Sequence, residues 1–230
     1  ALPVYSPSNE WLPIYEGPLR EVMAALRNRD IDKLGRIYGN FWRDPCSTGL
    51  HGLPIDMKRR FFGKRIERRY KMLWLHDALH RYRLWHGLLG STHTTAALDS
   101  PEIGNPYGYF IDGQFIKCGA EYKHYYATLI GRLIKAERPK CVVELGGGFG
   151  GMGYYLCRDN SDLTYIDLDL PENMALTAYY LLKAFPDKEI LLFGEAELTQ
   201  PTIAAHDILV LPSFEIANIP AEAANLVFNS

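Results

Sequence analysis

The sequence predicts an α/β fold, a doubly wound parallel sheet preceded by a mainly helical region, and three observations carry that prediction. From Lys140 onward, short apolar runs alternate with helix-patterned segments, the rhythm of strand–helix–strand units in a parallel sheet. Between the first of those runs and its helix stand five glycines in six residues, 146–151. Over residues 10–95 apolar side chains instead recur at three- and four-residue steps, the period of amphipathic helices. The expected division is a helical region over 1–139 and a sheet region over 140–230. The boundary near 137–140 lacks the composition of a flexible linker.

The elements follow in order. In EGPLREVMAALRNRD, Leu19, Val22, Met23 and Leu26 share one helix face, and Pro18 sits in the first turn, where a missing N–H costs nothing. Asp30 then caps a second helix through Leu34, Ile37 and Tyr38 to Trp42. DPCSTGLHGLP, 44–54, is a loop by its Pro and Gly content. A long helix is expected from Asp56 to Leu89, with a break at Gly63. Residues 100–115 are turn-rich and end in a hairpin around Asp112-Gly113, a dipeptide suited to a tight turn. One more helix, 119–136, precedes the strand KCVVEL. Then come the glycines, the helix MGYYLCRD, the strand LTYIDLDL and the helix PENMALTAYYLLKAF with Pro171 in its first turn. KEILLF, DILVLP and NLVF are further strands.

Composition narrows the function classes. With 47% apolar and 23% charged residues in 230, the chain can bury a full core. A net charge of −2 gives no field that would draw nucleic acid or an anionic membrane. No apolar run approaches the roughly 20 residues of a membrane span, and no secretory signal opens the chain. The four cysteines (Cys46, Cys118, Cys141, Cys157) are scattered, without CxxC or metal spacing, so they read as reduced thiols of a cytoplasmic protein.

The glycine stretch carries the chemistry. Gly146, Gly148 and Gly151 satisfy GxGxxG for a dinucleotide, whereas Glu144, Gly146, Gly148 and Gly150 satisfy ExGxGxG for S-adenosylmethionine. Either ligand calls for an acid at the end of the second strand to accept from ribose hydroxyls. Asp169 is so placed, with Asp167 as second choice. Glu144 and the LPEN after Asp169 discriminate between the two. An acid two residues before the first glycine suits an amino-acid ammonium and repels a pyrophosphate. Charge therefore favours the sulfonium cofactor over NAD(P). A turn that only packs a helix onto a sheet is the bland reading.

VVELGGGFGGMGYYL, YIDLDLPENMALTAYYLLKAFP, LPSFEIANIP and the closing LVFNS together resemble the sugar O-methyltransferase family of class I S-adenosylmethionine-dependent enzymes. FWRDPCSTGLHGLP and GNPYGYFIDGQFIKCGAEYKHYYATLIGRL are similar to that family's amino-terminal half, so the resemblance spans most of the chain. It implies a Rossmann-like class I methyltransferase sheet with Gly146, Gly147, Gly148 and Gly150 around the methionine part and Asp169 on the ribose. It implies methyl transfer to a hydroxyl of a sugar, or of a glycosylated or nucleotide-linked small molecule. It also makes DILVLP the third strand, with Ser213 or Phe214 toward the adenine, and NLVFNS the fourth. A plainer reading makes KEILLF the third strand, with Glu195 near the adenine. The family's sheet has seven strands and this sequence ends after about the fourth, so an incomplete sheet is expected.

Methyl transfer needs a group that takes the acceptor's proton. His51, between glycines in a loop, is the candidate base; His76, His80, His86, His93 and His124 are the other histidines weighed. His76, His80 and Trp85 lie on or near one apolar stripe and read as core residues. The helix before the first strand would fold over the cofactor and bring Tyr122, His124 and Tyr125 to its carboxylate end, or pack plainly on the sheet. Tyr107 and Tyr109 are expected with His51 around the acceptor. No metal cluster stands out; a divalent metal would have to draw on residues outside this chain. KRRFFGKRIERRYK, 58–71, reads as a solvated basic face, with Arg59, Arg60, Arg65 or Arg68 on a substrate phosphate as the narrower option. The expected partner is a small-molecule acceptor, with no nucleic acid and no membrane; a homo-oligomer is compatible with this reading. The rivals are an NAD(P)-dependent oxidoreductase and a non-catalytic S-adenosylmethionine-binding or partner-binding fragment.

Overall fold

The structure, a computed structural model, describes residues 11–50, 68–90 and 93–229. The chain divides into two compact units, Ala1–Tyr122 and Lys123–Ser230.

In the first unit a short helix α1 (Leu12–Glu16) leads to α2 (Arg20–Asn28) and α3 (Ile31–Tyr38). Leu19, Val22 and Ala25 are buried along α2 or at its start, the face that its spacing marks. The expected cap is present: Asp30 Oδ1 accepts from the Lys33 N–H at 2.9 Å. The helix ends at Tyr38 rather than Trp42, because Gly39 and Asn40 break it and Phe41–Arg43 form a 3-10 turn. Phe41 lies so close to Gly104, itself at φ 82°, that a Cβ there would overlap the ring. Trp42 meets Tyr107 edge-on at 5.5 Å and donates from Nε1 to the Ile103 carbonyl at 3.2 Å. Helix α4 (Arg68–Leu89) follows. Strands β1 (Gly108–Ile111) and β2 (Gln114–Lys117) form the anticipated hairpin. Its turn residues Asp112 and Gly113 have φ 50° and 80°, the left-handed pair that a two-residue turn with right-handed strand twist requires.

Helix α5 (Ala120–Leu133) runs across the division between the units. The second unit then reads strand β3 (Lys140–Leu145), helix α6 (Gly151–Asp159), strand β4 (Leu163–Asp169) and helix α7 (Pro171–Ala184). Strand β5 (Ile190–Leu192), the short helix α8 (Gln200–Ala204), strand β6 (Ile208–Pro212), a 3-10 turn Ser213–Asn218 and strand β7 (Leu226–Asn229) complete it. The five strands are parallel in the order β5-β6-β4-β3-β7. This is an α/β unit whose parallel sheet is compatible with a Rossmann-like fold. β6 lies beside β4 and β7 beside β3, so DILVLP takes the third position and KEILLF is an outer strand.

Side-chain alternation sorts the central strands into two faces. Cys141 and Val143, Ile166 and Leu168, Leu209 and Leu211 form one apolar face, joined by Leu191 and Ile203. Leu145, Leu198, Ile219, Ala223 and Ala224 pack against it. The opposite face carries Glu144 from β3 and Tyr165, Asp167 and Asp169 from β4. α6 packs there closely enough that a Cβ on Gly153 would overlap the Tyr165 ring.

None of the four cysteines forms a disulfide, and all are buried. Burial pushes the thiols of Cys141 and Cys157 up to about 11 and about 12, so they are inert at neutral pH. Among the described residues no helix is long and apolar enough to cross a membrane. His51, Arg59, Arg60 and Arg65 lie outside the described residues; Arg68, at the start of α4, is exposed.

Candidate functional site

Strand β3 sends the chain through α6 to β4 on one side, while β7 pairs on the other. The carboxyl end of β3 is thus a topological switch point, where open parallel sheets leave a crevice for ligands. The glycine loop sits at this point. Gly146, Gly148 and Gly150 have φ of 83°, 63° and 82°, a backbone that side chains with a Cβ adopt at a cost. Three glycines are also explained by packing. A Cβ on Gly147 would overlap Asp167 Oδ1, one on Gly150 would meet Leu181 Cγ at 2.9 Å, and one on Gly151 would meet Phe149 Cζ at 2.6 Å.

Beneath the loop three acids converge. Glu144 and Asp167 are register partners on adjacent strands, so both carboxyls rise from the same face. Glu144, Asp167 and Asp169 are 1%, 0% and 5% exposed. Tyr165 donates from Oη to Glu144 Oε2 at 2.5 Å. Asp169 accepts from the Gly148 N–H at 2.7 Å through Oδ2, and from the Leu170 N–H at 2.6 Å and Asn173 Nδ2 at 3.1 Å through Oδ1. Asp167 differs: neither of its buried oxygens has a hydrogen bond of ordinary geometry. Burial, then the charges of Asp169 and Glu144, push its carboxyl well above the usual range, opposed only by the nearby Gly147 N–H. Burial also raises Asp169, against the three donors that hold its charge. Three carboxylates cannot all ionise in so dry a place unless something positive joins them.

Helix α7 pins the loop from the other side. Thr177 donates from Oγ1 to the Gly148 carbonyl at 2.5 Å, and Asn173 is the partner of Asp169. Asn173 is the last residue of the LPEN segment, so that motif has a visible structural task. Tyr180 meets Phe149 edge-on at 5.0 Å. Sequence reasoning missed Tyr165, Asn173 and Thr177 as site residues. Alternation along TYIDLDL marks Tyr165, since it puts Tyr165, Asp167 and Asp169 on one face; no comparable signal marks Thr177.

The other expected residues are distributed as follows. Ser213 is exposed at the carboxyl end of β6, and Phe214 beside it meets Phe193 edge-on at 5.7 Å. Glu195 closes the turn after β5, accepting from the Leu192 N–H at 2.8 Å. Tyr122 is exposed at the end of the first unit, and Tyr125 is half-buried, edge-on to Tyr126 at 5.2 Å. His124 belongs to the core. It is 2% exposed, T-shaped against Tyr155 at 5.4 Å and 3.8 Å from Asp159 at the far end of α6. The residue of α5 that does reach the loop is Lys123, with Nζ 5.2 Å from the centre of the Phe149 ring. Tyr107 and Tyr109 are buried in the first unit, Tyr109 donating to Glu121. His76 and His80, expected in a core, are exposed on α4; Trp85 and Ala78 supply its buried side. Among the described residues no group of three or more His, Cys, Asp and Glu is arranged to hold a metal ion.

No family model, curated protein or solved structure matches this chain.

Proposed function

We propose that this chain is a class I S-adenosylmethionine-dependent O-methyltransferase whose acceptor is a hydroxyl of a sugar or of a glycosylated or nucleotide-linked small molecule. One observation carries the cofactor assignment: the buried carboxyl of Asp167, without a hydrogen bond of ordinary geometry, under a glycine loop at the switch point, with Glu144 and Asp169 beside it. Such a cluster holds more acid than the fold neutralises, and a cationic ligand offsets the excess. S-adenosylmethionine brings an ammonium and a sulfonium; the pyrophosphate of NAD(P) brings only negative charge. The Gly148 N–H, a donor that a pyrophosphate would use, is already committed to Asp169. That disfavours the oxidoreductase reading.

The residues present suit the cofactor. Gly146, Gly147, Gly148 and Gly150 would lie along its methionine part, with Glu144 and Asp167 supplying the negative field. Asp169, fixed by three donors, would accept from the ribose. Ser213 and Phe214, just beyond β6, would border the adenine. When bound, the cofactor supplies a methyl group on a positively charged sulfur. The acceptor class rests on the resemblance of the four quoted segments to sugar O-methyltransferases.

The test is calorimetric titration of the full chain with S-adenosylhomocysteine and, in parallel, NAD. Saturable binding of the first, weakened at least about tenfold in Asp169→Ala by loss of its hydrogen bonds and not seen with NAD, is the expected result. Saturation by NAD alone would overturn the assignment.

A further inference from the structure

Helix α4 carries an exposed seam on the side away from its core. Its buried residues are Ala78, Trp85 and Leu89. At 3.6 residues per turn, Leu73, Asp77, His80 and Leu84 share a face about 130° around the helix from them, and all four are exposed. Their steps of four, three and four residues are those of a coiled-coil seam, which Gly87 continues three residues on. Gly87 stands within the helix with nothing inside 4 Å of where its Cβ would be. A helical glycine costs about 1 kcal/mol relative to alanine, and no described neighbour in the chain explains this one.

The seam is complementary to itself. About a twofold axis passing between Ala78 and Leu79, an antiparallel copy sets Leu73 against Leu84, Asp77 against His80 and Tyr70 against Gly87, and each pair occurs twice. Leucine then meets leucine, a half-buried ring faces the open glycine, and an imidazole faces a carboxylate. Asp77 already accepts from Arg81 of its own helix, and a carboxylate has room for a second donor. A parallel copy would instead set Asp77 against Asp77 and Gly87 against Gly87, a like-charge pair and an empty layer. We propose that α4 pairs antiparallel with α4 of a second copy of this chain along this seam, making a symmetric dimer. The central polar pair fixes the register, as a lone polar position does in coiled coils. The dimer does not depend on the cofactor assignment.

Sedimentation velocity of the full chain over a concentration series is expected to show a monomer–dimer equilibrium. Leu84→Glu should weaken the dimer by about tenfold or more, because it buries an unpaired charge in the seam. Adding Leu73→Lys to the same chain should recover most of that loss, since opposite charges then meet twice. Met72→Glu, exposed but off the seam, should leave the dimer unchanged, and an unaltered melting temperature checks the fold of each variant. Register is read by oxidation: a mixture of Leu73→Cys and Leu84→Cys chains should cross-link, and neither should do so alone, the native cysteines being buried. A monomer at every concentration overturns the proposal, whether Leu84→Cys then reacts with a thiol reagent, leaving the face to another partner, or is protected by the chain's own segments. So does a dimer that Leu84→Glu leaves intact, or cross-linking of Leu73→Cys alone, the mark of a parallel pair.

Discussion

Asp167 has little reason to be ionised until something positive approaches it. Its carboxyl is pushed up by burial, then by Asp169 and Glu144. The folded chain therefore keeps a proton that the unfolded chain has released. For a group raised in this way the unfolded state binds fewer protons, so stability falls as pH rises from about 4, the ordinary carboxylate value. Asp167→Asn removes that penalty. It is expected to melt higher than wild type at pH 8, by roughly 2–4 °C for each kcal/mol relieved in a chain of this size. The gain should shrink toward pH 4, and binding of S-adenosylhomocysteine should weaken. A variant less stable than wild type at pH 8, or a pH-independent difference, would show that Asp167 is not the strained acid. Glu144, Asp167 and Asp169 were legible in the sequence because strand alternation and charge mark them without knowledge of neighbours. Lys123 and Thr177 were not, because their meaning comes from contacts with Gly151 and Gly148 across different elements. For His124 the helix alone leaves two places open, the cofactor's end or plain packing, and only the contact with Tyr155 decides for packing.

Among the elements, α6 and β4 are held together by an absence of side chain. Gly153→Ala places a methyl group on the Tyr165 ring, which also donates to Glu144. The cost of such overpacking is about 1–3 kcal/mol, measurable as a lower denaturant midpoint with an unchanged slope. An unchanged midpoint would mean that the helix shifts freely on the sheet. Thr177→Val keeps the shape but removes the donor to the Gly148 carbonyl, at a cost of about 1 kcal/mol. It should weaken S-adenosylhomocysteine binding more than it lowers stability, since it loosens the loop rather than the core; equal affinity would dissociate Thr177 from the site. Strands β3 and β6 are legible as short apolar runs, the mark of parallel strands buried on both sides, and β4 as an alternating run with Tyr165, Asp167 and Asp169 on one face. Helix α4 shows where periodicity fails. Met72, Leu73, Leu84 and Leu88 are 57%, 57%, 52% and 52% exposed, so its apolar residues encircle it and do not tell which side is buried. That is why the sequence alone puts His76 and His80 in a core. The order of β5 and β6 was likewise ambiguous in the sequence, because both are short apolar runs and only pairing with β4 separates them.

For the molecule as a whole, topology and charge point to the same place. The strand order puts the glycine loop at the switch point, and the three buried acids lie beneath it, although the chain carries a net charge of only −2. The proposed function rests on the local field there. If the cluster exists to receive a cation, binding must draw Asp167 down and release its proton. The most direct test is titration of the full chain with S-adenosylhomocysteine at pH 7 in two buffers of different ionisation enthalpy, with NAD alongside. The account predicts saturable binding with net proton release, lost in Asp167→Asn, and no saturation by NAD. Binding of NAD in place of S-adenosylhomocysteine, or S-adenosylhomocysteine binding with no proton released, would contradict it.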